Sequence, residues 1–453
     1  MRWPLWVVAT ALAAGAAWAV RRLCSIAGIA AAYKAKVLCS AVFCSGRDID
    51  PEHADEIAAD SYWLLRPIRA RVDRRACMVT ASFKGLRRRI AIYRPGLGAT
   101  LTSETDRLVL TAALAIEKPA TPSTFRSSPF VERAGPAALQ RVVESAFSEP
   151  NPERLRRTRA VVVVREGRIV AERYTSGFSK DTPLPGWSMT KSVLAALVGI
   201  LVGNGRLSLA DRELLPVWRS PDPRAAICLE DLLRMRSGLR FVENYSNPSS
   251  DVIQMLFNRY DAAAYAANCP LAAPPGTRWS YSSGTTNILS AVIRRVAGEA
   301  DYQSWPRRVL FDPLGMESAV LEPDASGTFV CSSFMLATAR DWARFGQLWL
   351  DDGIWDSQQF LAAGWVRFST TPTPQSPEGN YGAHWWLKLN PEIGGATPAA
   401  ARLPADAFFA LGHEGQTLTV VPSLRLVVVR LGLSIYIDAW NHAAFLAELL
   451  EAL

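Results

Sequence analysis

Pro185-Gly186-Trp187-Ser188-Met189-Thr190-Lys191, running on into Ser192-Val193-Leu194-Ala195-Ala196-Leu197-Val198, decides how this chain is read. The apolar run predicts a buried helix, closed at its far end by Gly203-Asn204-Gly205 and preceded by a loop broken at Pro183, Pro185 and Gly186. At about 3.6 residues per turn, Ser188 and Lys191 fall on one helical face, with the lysine amine beside the serine hydroxyl. A neutral lysine there takes the serine's proton and makes a nucleophile without histidine. Burial and the positive end of a helix both disfavour the ammonium, and the helix start also offers the Ser188 N–H to an oxyanion. The competing reading is a serine N-cap followed by a solvated lysine, because S-x-x-K alone is short enough to arise by chance.

Two further segments supply what such a pair lacks. Tyr281 lies in the turn-rich stretch Pro274 to Gly284, just before a helix expected from about Thr286, and a phenol there exchanges a proton with a leaving group. Late in the chain, Gly412-His413-Glu414-Gly415-Gln416 precedes the strand Thr417 to Val421, where glycines let a backbone edge approach a ligand and the Gln416 N–H serves as a second oxyanion donor. His413, Gly415, Ser283, Glu243 and Tyr245 are weaker candidates for substrate contacts, with a capping or packing role as the alternative for each.

The rest of the 453 residues sets the frame. Hydrophobic residues make up 49% of the chain and charged ones 20%, enough apolar content for a folded core. The charge of +8 is modest for the length, and the arginines between residues 66 and 89 stand among few aromatics, which argues against a nucleic-acid partner and for a solvated or membrane-facing surface. Seven scattered cysteines and four histidines lack metal-ligand spacing, so neither a metal nor another cofactor is expected; Cys39 and Cys44 either pair or pack as small hydrophobes. Trp3 to Val20 carries no charge and is about long enough to cross a bilayer, with a cleaved signal peptide as the rival. Arg21, Arg22, Lys34 and Lys36 lie after it while only Arg2 precedes it, a bias that by itself keeps the C-terminal domain in the cytoplasm, although large domains are translocated despite it.

Strands are expected within 68–118, then a linker from Pro119 to Pro129. A hairpin is expected from Ala160 to Tyr174, helices over Leu229–Met235 and Thr338–Leu350, and a second hairpin from Thr417 to Leu431 before a terminal helix. Strands from both ends with helices between predict an α+β domain: an antiparallel sheet flanked by helices, with a mostly helical insertion. The chain thus divides into 1–22 as anchor or signal-like segment, 23–155 as extension and linker, and 156–453 as the catalytic domain.

S-x-x-K opening a helix, ICLEDLLRMRSGL (227–239), PPGTRWSYSSGTTN (274–287), PLGM (313–316) and the late GHEGQ (412–416) resemble, in this order, the serine β-lactamase and penicillin-binding-protein superfamily in its class C branch. WSMTKS, YSSGTTN and ATARDWARFG look closest to its 6-aminohexanoate-dimer hydrolase and carboxylesterase-like members. The resemblance implies a β-lactamase/transpeptidase-like fold and a serine hydrolase for a small-molecule ester or amide. Ser188 would be acylated, Lys191 would be its base, Tyr281 the proton carrier, and the N–H groups of Ser188 and Gln416 the oxyanion hole. Two departures bear on substrate. Ser283 stands where class C enzymes have asparagine, and His413-Glu414-Gly415 stands where they have K-T-G, so esters or linear amides are expected rather than β-lactams. An α/β-hydrolase would need G-x-S-x-G, which neither serine segment completes. A sensor that is acylated without turnover is the remaining alternative. The expected location is a bacterial inner membrane with the hydrolase domain in the periplasm.

Overall fold

Ala160-Val161-Val162-Val163-Val164 lacks polar alternation because both faces of the strand it forms are covered. The computed structural model describes residues 5–50, 54–57, 62–102 and 130–453; His53 and the Pro119–Pro129 linker lie outside them. Six strands form the main sheet: β5 (Val131–Glu132), β6 (Thr158–Arg165), β7 (Arg168–Tyr174), β8 (Phe408–Gly412), β9 (Gln416–Val421) and β10 (Leu426–Gly432), in the order β8-β9-β10-β6-β7-β5. The two hairpins expected from the ends of the domain thus meet through β10 and β6, with Val162 opposite Val429 and Val163 opposite Val428. The pairs are antiparallel except for the edge strand β5, which runs parallel to β7.

The period of two sorts these valines into two cores. Val162, Val164, Val427 and Val429 face the larger one with the helices Thr190–Gly203 and Ala339–Leu350. Val161, Val163 and Val428 face the smaller one with Ala137–Ser145 and His442–Glu451. The elements between 131 and 145 therefore belong to this sheet, although the sequence division assigned them to the extension before 156.

Ahead of this domain lies a layer that contains strands expected within 68–118, joined by a helix longer than the sequence reading allowed. A single helix, α1 (Leu5–Cys39), runs without a break across position 22. Its 35 residues extend about 52 Å. Residues 12–23 are exposed, whereas Ala31, Ala32, Ala35 and Leu38 are fully buried. The buried half packs on a four-stranded antiparallel meander, β1 (Ile68–Asp73), β2 (Met78–Phe83), β3 (Leu86–Arg94) and β4 (Gly98–Thr102). Alanines on the helix face Val79, Ala81, Ala91 and Ala99, and small residues on both sides let helix and sheet approach closely.

The layer is bolted to the catalytic domain through Glu322. This buried carboxylate pairs with Lys36 and accepts from the Ser40 hydroxyl at 2.8 Å and the Ala99 N–H at 2.7 Å. Lys34 is buried too and donates to the Ile68 carbonyl at 2.7 Å. Two of the four cations counted as flanking the span are thus internal fixtures, which removes much of the charge bias toward the cytoplasm. Cys39 and Cys44 are not joined; every cysteine is a free thiol.

Candidate active site

Trp187–Met189 forms a 3₁₀ turn that feeds the helix α3 (Thr190–Gly203), α2 being Ala137–Ser145. In such a turn side chains three apart nearly eclipse, and the Lys191 Nζ stands 2.9 Å from the Ser188 Oγ. Trp187 holds a left-handed backbone at φ 48°, a costly conformation for a large residue, immediately before the serine. Its indole N–H is anchored on Glu414 at 3.0 Å. Ser188 remains partly exposed while Lys191 is buried.

Lys191 has two other partners, the Ser283 Oγ at 3.1 Å and the Ser332 carbonyl at 2.9 Å. Burial lowers its pKa to about 8, against an opposing pull from Glu243. The cause is thus mainly desolvation. Once neutral, the amine has a lone pair for the Ser188 hydroxyl and two N–H groups for the other oxygens.

Ser283 opens the helix α4 (Ser283–Ala297), capped by the Ser282 hydroxyl on the Thr285 N–H. That cap fixes the turn Tyr281-Ser282-Ser283 beside α3. Lys191 lies over the Tyr281 ring, 4.9 Å from its centroid, and the Ser188 side chain is near enough to oppose slightly the upward shift of the phenol. Burial, and then Glu243, push the Tyr281 phenol well above its usual pKa. It stays protonated, suited to donating rather than to acting as a resting base.

Glu243 turns out to be central to the cluster. It accepts from the Ser283 hydroxyl at 2.5 Å, the Ser283 N–H at 2.8 Å and the Tyr245 hydroxyl at 2.9 Å. Ser283 therefore links the carboxylate to the lysine, filling with a hydroxyl and a remote Glu the place where the class C pattern has an amide.

The late glycine turn reaches the serine by backbone. A Cβ on Gly412 would stand 2.2 Å from the Gly186 carbonyl oxygen, so only glycine lets the β8 edge come this close. Gly415 takes φ 79° and offers its carbonyl to Arg430 at 2.8 Å. The Gln416 side chain bonds both the N–H and the carbonyl of Gly432. His413 does not contact Ser188; its ring stacks on Tyr245 at 5.4 Å and meets Trp187 edge-on at 5.6 Å.

Sequence reasoning missed three residues. The Ser332 carbonyl has no side-chain signature. His384 is held neutral by burial, with its pKa near 3, between the Leu233 carbonyl at 2.7 Å and the Thr286 hydroxyl at 3.0 Å. Glu414, buried at φ 62°, accepts from Trp187 and also from Tyr62 at 2.9 Å and Tyr33 at 3.4 Å, which ties the N-terminal layer to the site; its place inside GHEGQ was the available signal.

A family model described as Beta-lactamase matches residues 143–432. The chain belongs to the beta-lactamase family. A 6-aminohexanoate-dimer hydrolase of Paenarthrobacter ureafaciens is 27% identical over 354 residues, covering 72% of this chain and 82% of that protein. Among solved structures, a candidate 6-aminohexanoate-dimer hydrolase from Bacillus anthracis superposes with a TM-score of 0.58 at 21% identity, covering 73% of this chain and 88% of its own. A family VIII carboxylesterase gives 0.53 at 15% identity, covering 71% and 99%. These structures share the β-lactamase/transpeptidase-like fold, and the chain is a hydrolase-type member of its family.

Proposed function

We propose that this protein is a serine hydrolase that cleaves esters or linear amides through an acyl-enzyme on Ser188. The observation that carries the reading is the buried Lys191 amine 2.9 Å from the Ser188 Oγ, with its pKa drawn down to about 8.

In the proposed reaction the Ser188 Oγ attacks the substrate carbonyl carbon and its proton passes to Lys191. The resulting oxyanion sits between the N–H groups of Ser188 and Gln416. The bond to the leaving group breaks as Tyr281 donates its proton to the departing oxygen or nitrogen, and the Lys191 ammonium reprotonates the phenol. Water then attacks the acyl carbon and the same groups return its proton, which frees the acid and restores Ser188.

Glu414 stands where the class C pattern has a hydroxyl-bearing residue and accepts from Trp187, Tyr62 and Tyr33, so it offers no hydroxyl donor to a substrate carboxylate. Esters and unstrained amides fit better than β-lactams. Tethering to a membrane is supported by α1, the one described helix long and apolar enough to span, through its exposed first half. The buried stretch after Gly28 then serves as a plug in the domain and not as part of the span. The tether proposed is the segment 1–22 read from the sequence, whose side chains from residue 12 onward are exposed.

Hydrolysis of p-nitrophenyl butyrate by wild type, Ser188→Ala, Lys191→Ala and Tyr281→Phe tests the proposal. Ser188→Ala abolishes turnover and Tyr281→Phe lowers kcat by about 10²-fold or more. Equal turnover by wild type and Ser188→Ala overturns it. A wild type that is acylated once and stays acylated identifies a sensor instead.

A further inference from the structure

Between α1 and the catalytic domain lies a cavity of about 750 Å³, within the size range of small-molecule sites. One end is walled by Trp187, the chain neighbour of Ser188, by Glu243 and Tyr245, which reach Lys191 through Ser283, and by His413, stacked on Tyr245. The rest is largely aliphatic, with Ile26 and Ile29 from α1 facing Leu64, Ile253, Leu256 and Ile437.

The α1 positions that line it are 26, 29, 30 and 33, the i, i+3, i+4, i+7 pattern of one helical face. One turn earlier the helix is exposed, with Val20 at 60% and Leu23 at 65% relative exposure on either side of Arg21 and Arg22. Two large side chains of the cavity, Trp63 at 69% and Ile437 at 63%, are also presented outward. Exposed apolar residues grouped at the opening of an apolar cavity, on the helix that is long enough to enter a bilayer, are costly in water and favourable at a lipid interface. On the outer layer, Arg69, Arg71, Arg74 and Arg87 are exposed, a surface that attracts anionic lipid headgroups.

Building on the hydrolase reading above, we infer that the substrate is a membrane-borne amphiphile, an ester or amide of a long-chain acyl group whose hydrocarbon tail lies in this cavity. The tail leaves the bilayer along α1 and runs past Ile26 and Ile29. It ends with the carbonyl at the Trp187–Tyr245 wall, beside the turn that carries Ser188. The N-terminal layer is then part of the substrate site, because without α1 and the Tyr62–Leu65 segment the cavity loses a wall.

The test uses the full chain in nanodiscs of neutral lipid, with p-nitrophenyl acetate, butyrate and decanoate, so that the leaving group is constant. Each methylene buried contributes up to about fourfold. The six methylenes separating decanoate from butyrate are expected to raise kcat/KM by at least about 30-fold, allowing for incomplete burial. Ile26→Trp and Ile253→Trp, both at part-exposed positions, narrow the cavity from opposite sides and are expected to cut decanoate turnover at least about tenfold. Acetate is too short to reach either residue and serves as the reference for correct folding, changing less than about twofold. Ser188-dependent acetate turnover with no preference for decanoate overturns the inference, as does decanoate turnover that both variants leave intact. Acetate turnover equal in Ser188→Ala and wild type removes the hydrolase reading itself, and this inference with it.

Discussion

In the proposed mechanism Lys191 takes the Ser188 proton only when neutral, so the rate must follow its titration. With a pKa of about 8, roughly one lysine in ten is neutral at pH 7. At the ordinary value of 10.5 it would be about one in 3,000. The burial of this one side chain therefore accounts for a gain on the order of 10²-fold at neutral pH. The expected profile of kcat/KM rises about tenfold per pH unit below 8 and levels above it. Glu243 opposes the shift, so Glu243→Gln is expected to move the rising limb toward acid, whatever it does to the plateau through Ser283. The assay is p-nitrophenyl butyrate hydrolysis from pH 5.5 to 10, extrapolated to zero buffer and corrected for hydroxide. A limb that stays fixed or moves toward alkali in Glu243→Gln refutes the reasoning. The stability consequence has the opposite sense to that of a paired lysine. Its folded pKa lies below its unfolded value, so between about pH 8 and 10.5 the unfolded chain holds the extra proton, and wild-type stability relative to Lys191→Met rises with pH.

Gly412→Ala forces a Cβ against the Gly186 carbonyl oxygen and pushes the β9 start from the serine turn; kcat is expected to fall about 10²-fold with KM less affected, since one oxyanion donor is displaced. Equal kcat in the two proteins would remove the Gln416 N–H from the oxyanion hole. Glu322→Ala leaves Lys36 buried without its partner and is expected to cost about 3–5 kcal/mol, read as a fall in the chemical-denaturation midpoint of the full chain. An unchanged midpoint would mean that the N-terminal layer is not held through this carboxylate.

What the sequence disclosed was local. Ser188, Lys191 and Tyr281 are brought together by short-range rules, a 3₁₀ turn running into a helix and a capped loop, so local pattern pointed to them and the family resemblance supplied their proposed roles. The GHEGQ turn was legible because glycines mark where backbone must approach backbone, and the family resemblance supplied the order of the motifs. What escaped was carried by contacts between distant segments. Glu322 meets Lys36 across 286 positions, and nothing in either neighbourhood announces the pair. The Ala-rich half of α1 reads alike whether it faces lipid or a β-sheet, so the helix was cut at residue 22 where the charges begin. Glu243 sits in a loop, and only the fold brings it to Ser283. Composition likewise could not reveal that Lys34 and Lys36 point inward.

The central claim is a covalent acyl group on Ser188, and intact-mass spectrometry of the full chain quenched within milliseconds of mixing with p-nitrophenyl butyrate tests it most directly. The account predicts a butyryl adduct that maps to the peptide containing Ser188, clears as substrate is exhausted and is absent in Ser188→Ala. Turnover without any adduct under conditions where deacylation is slowed, or the same adduct in Ser188→Ala, would contradict it.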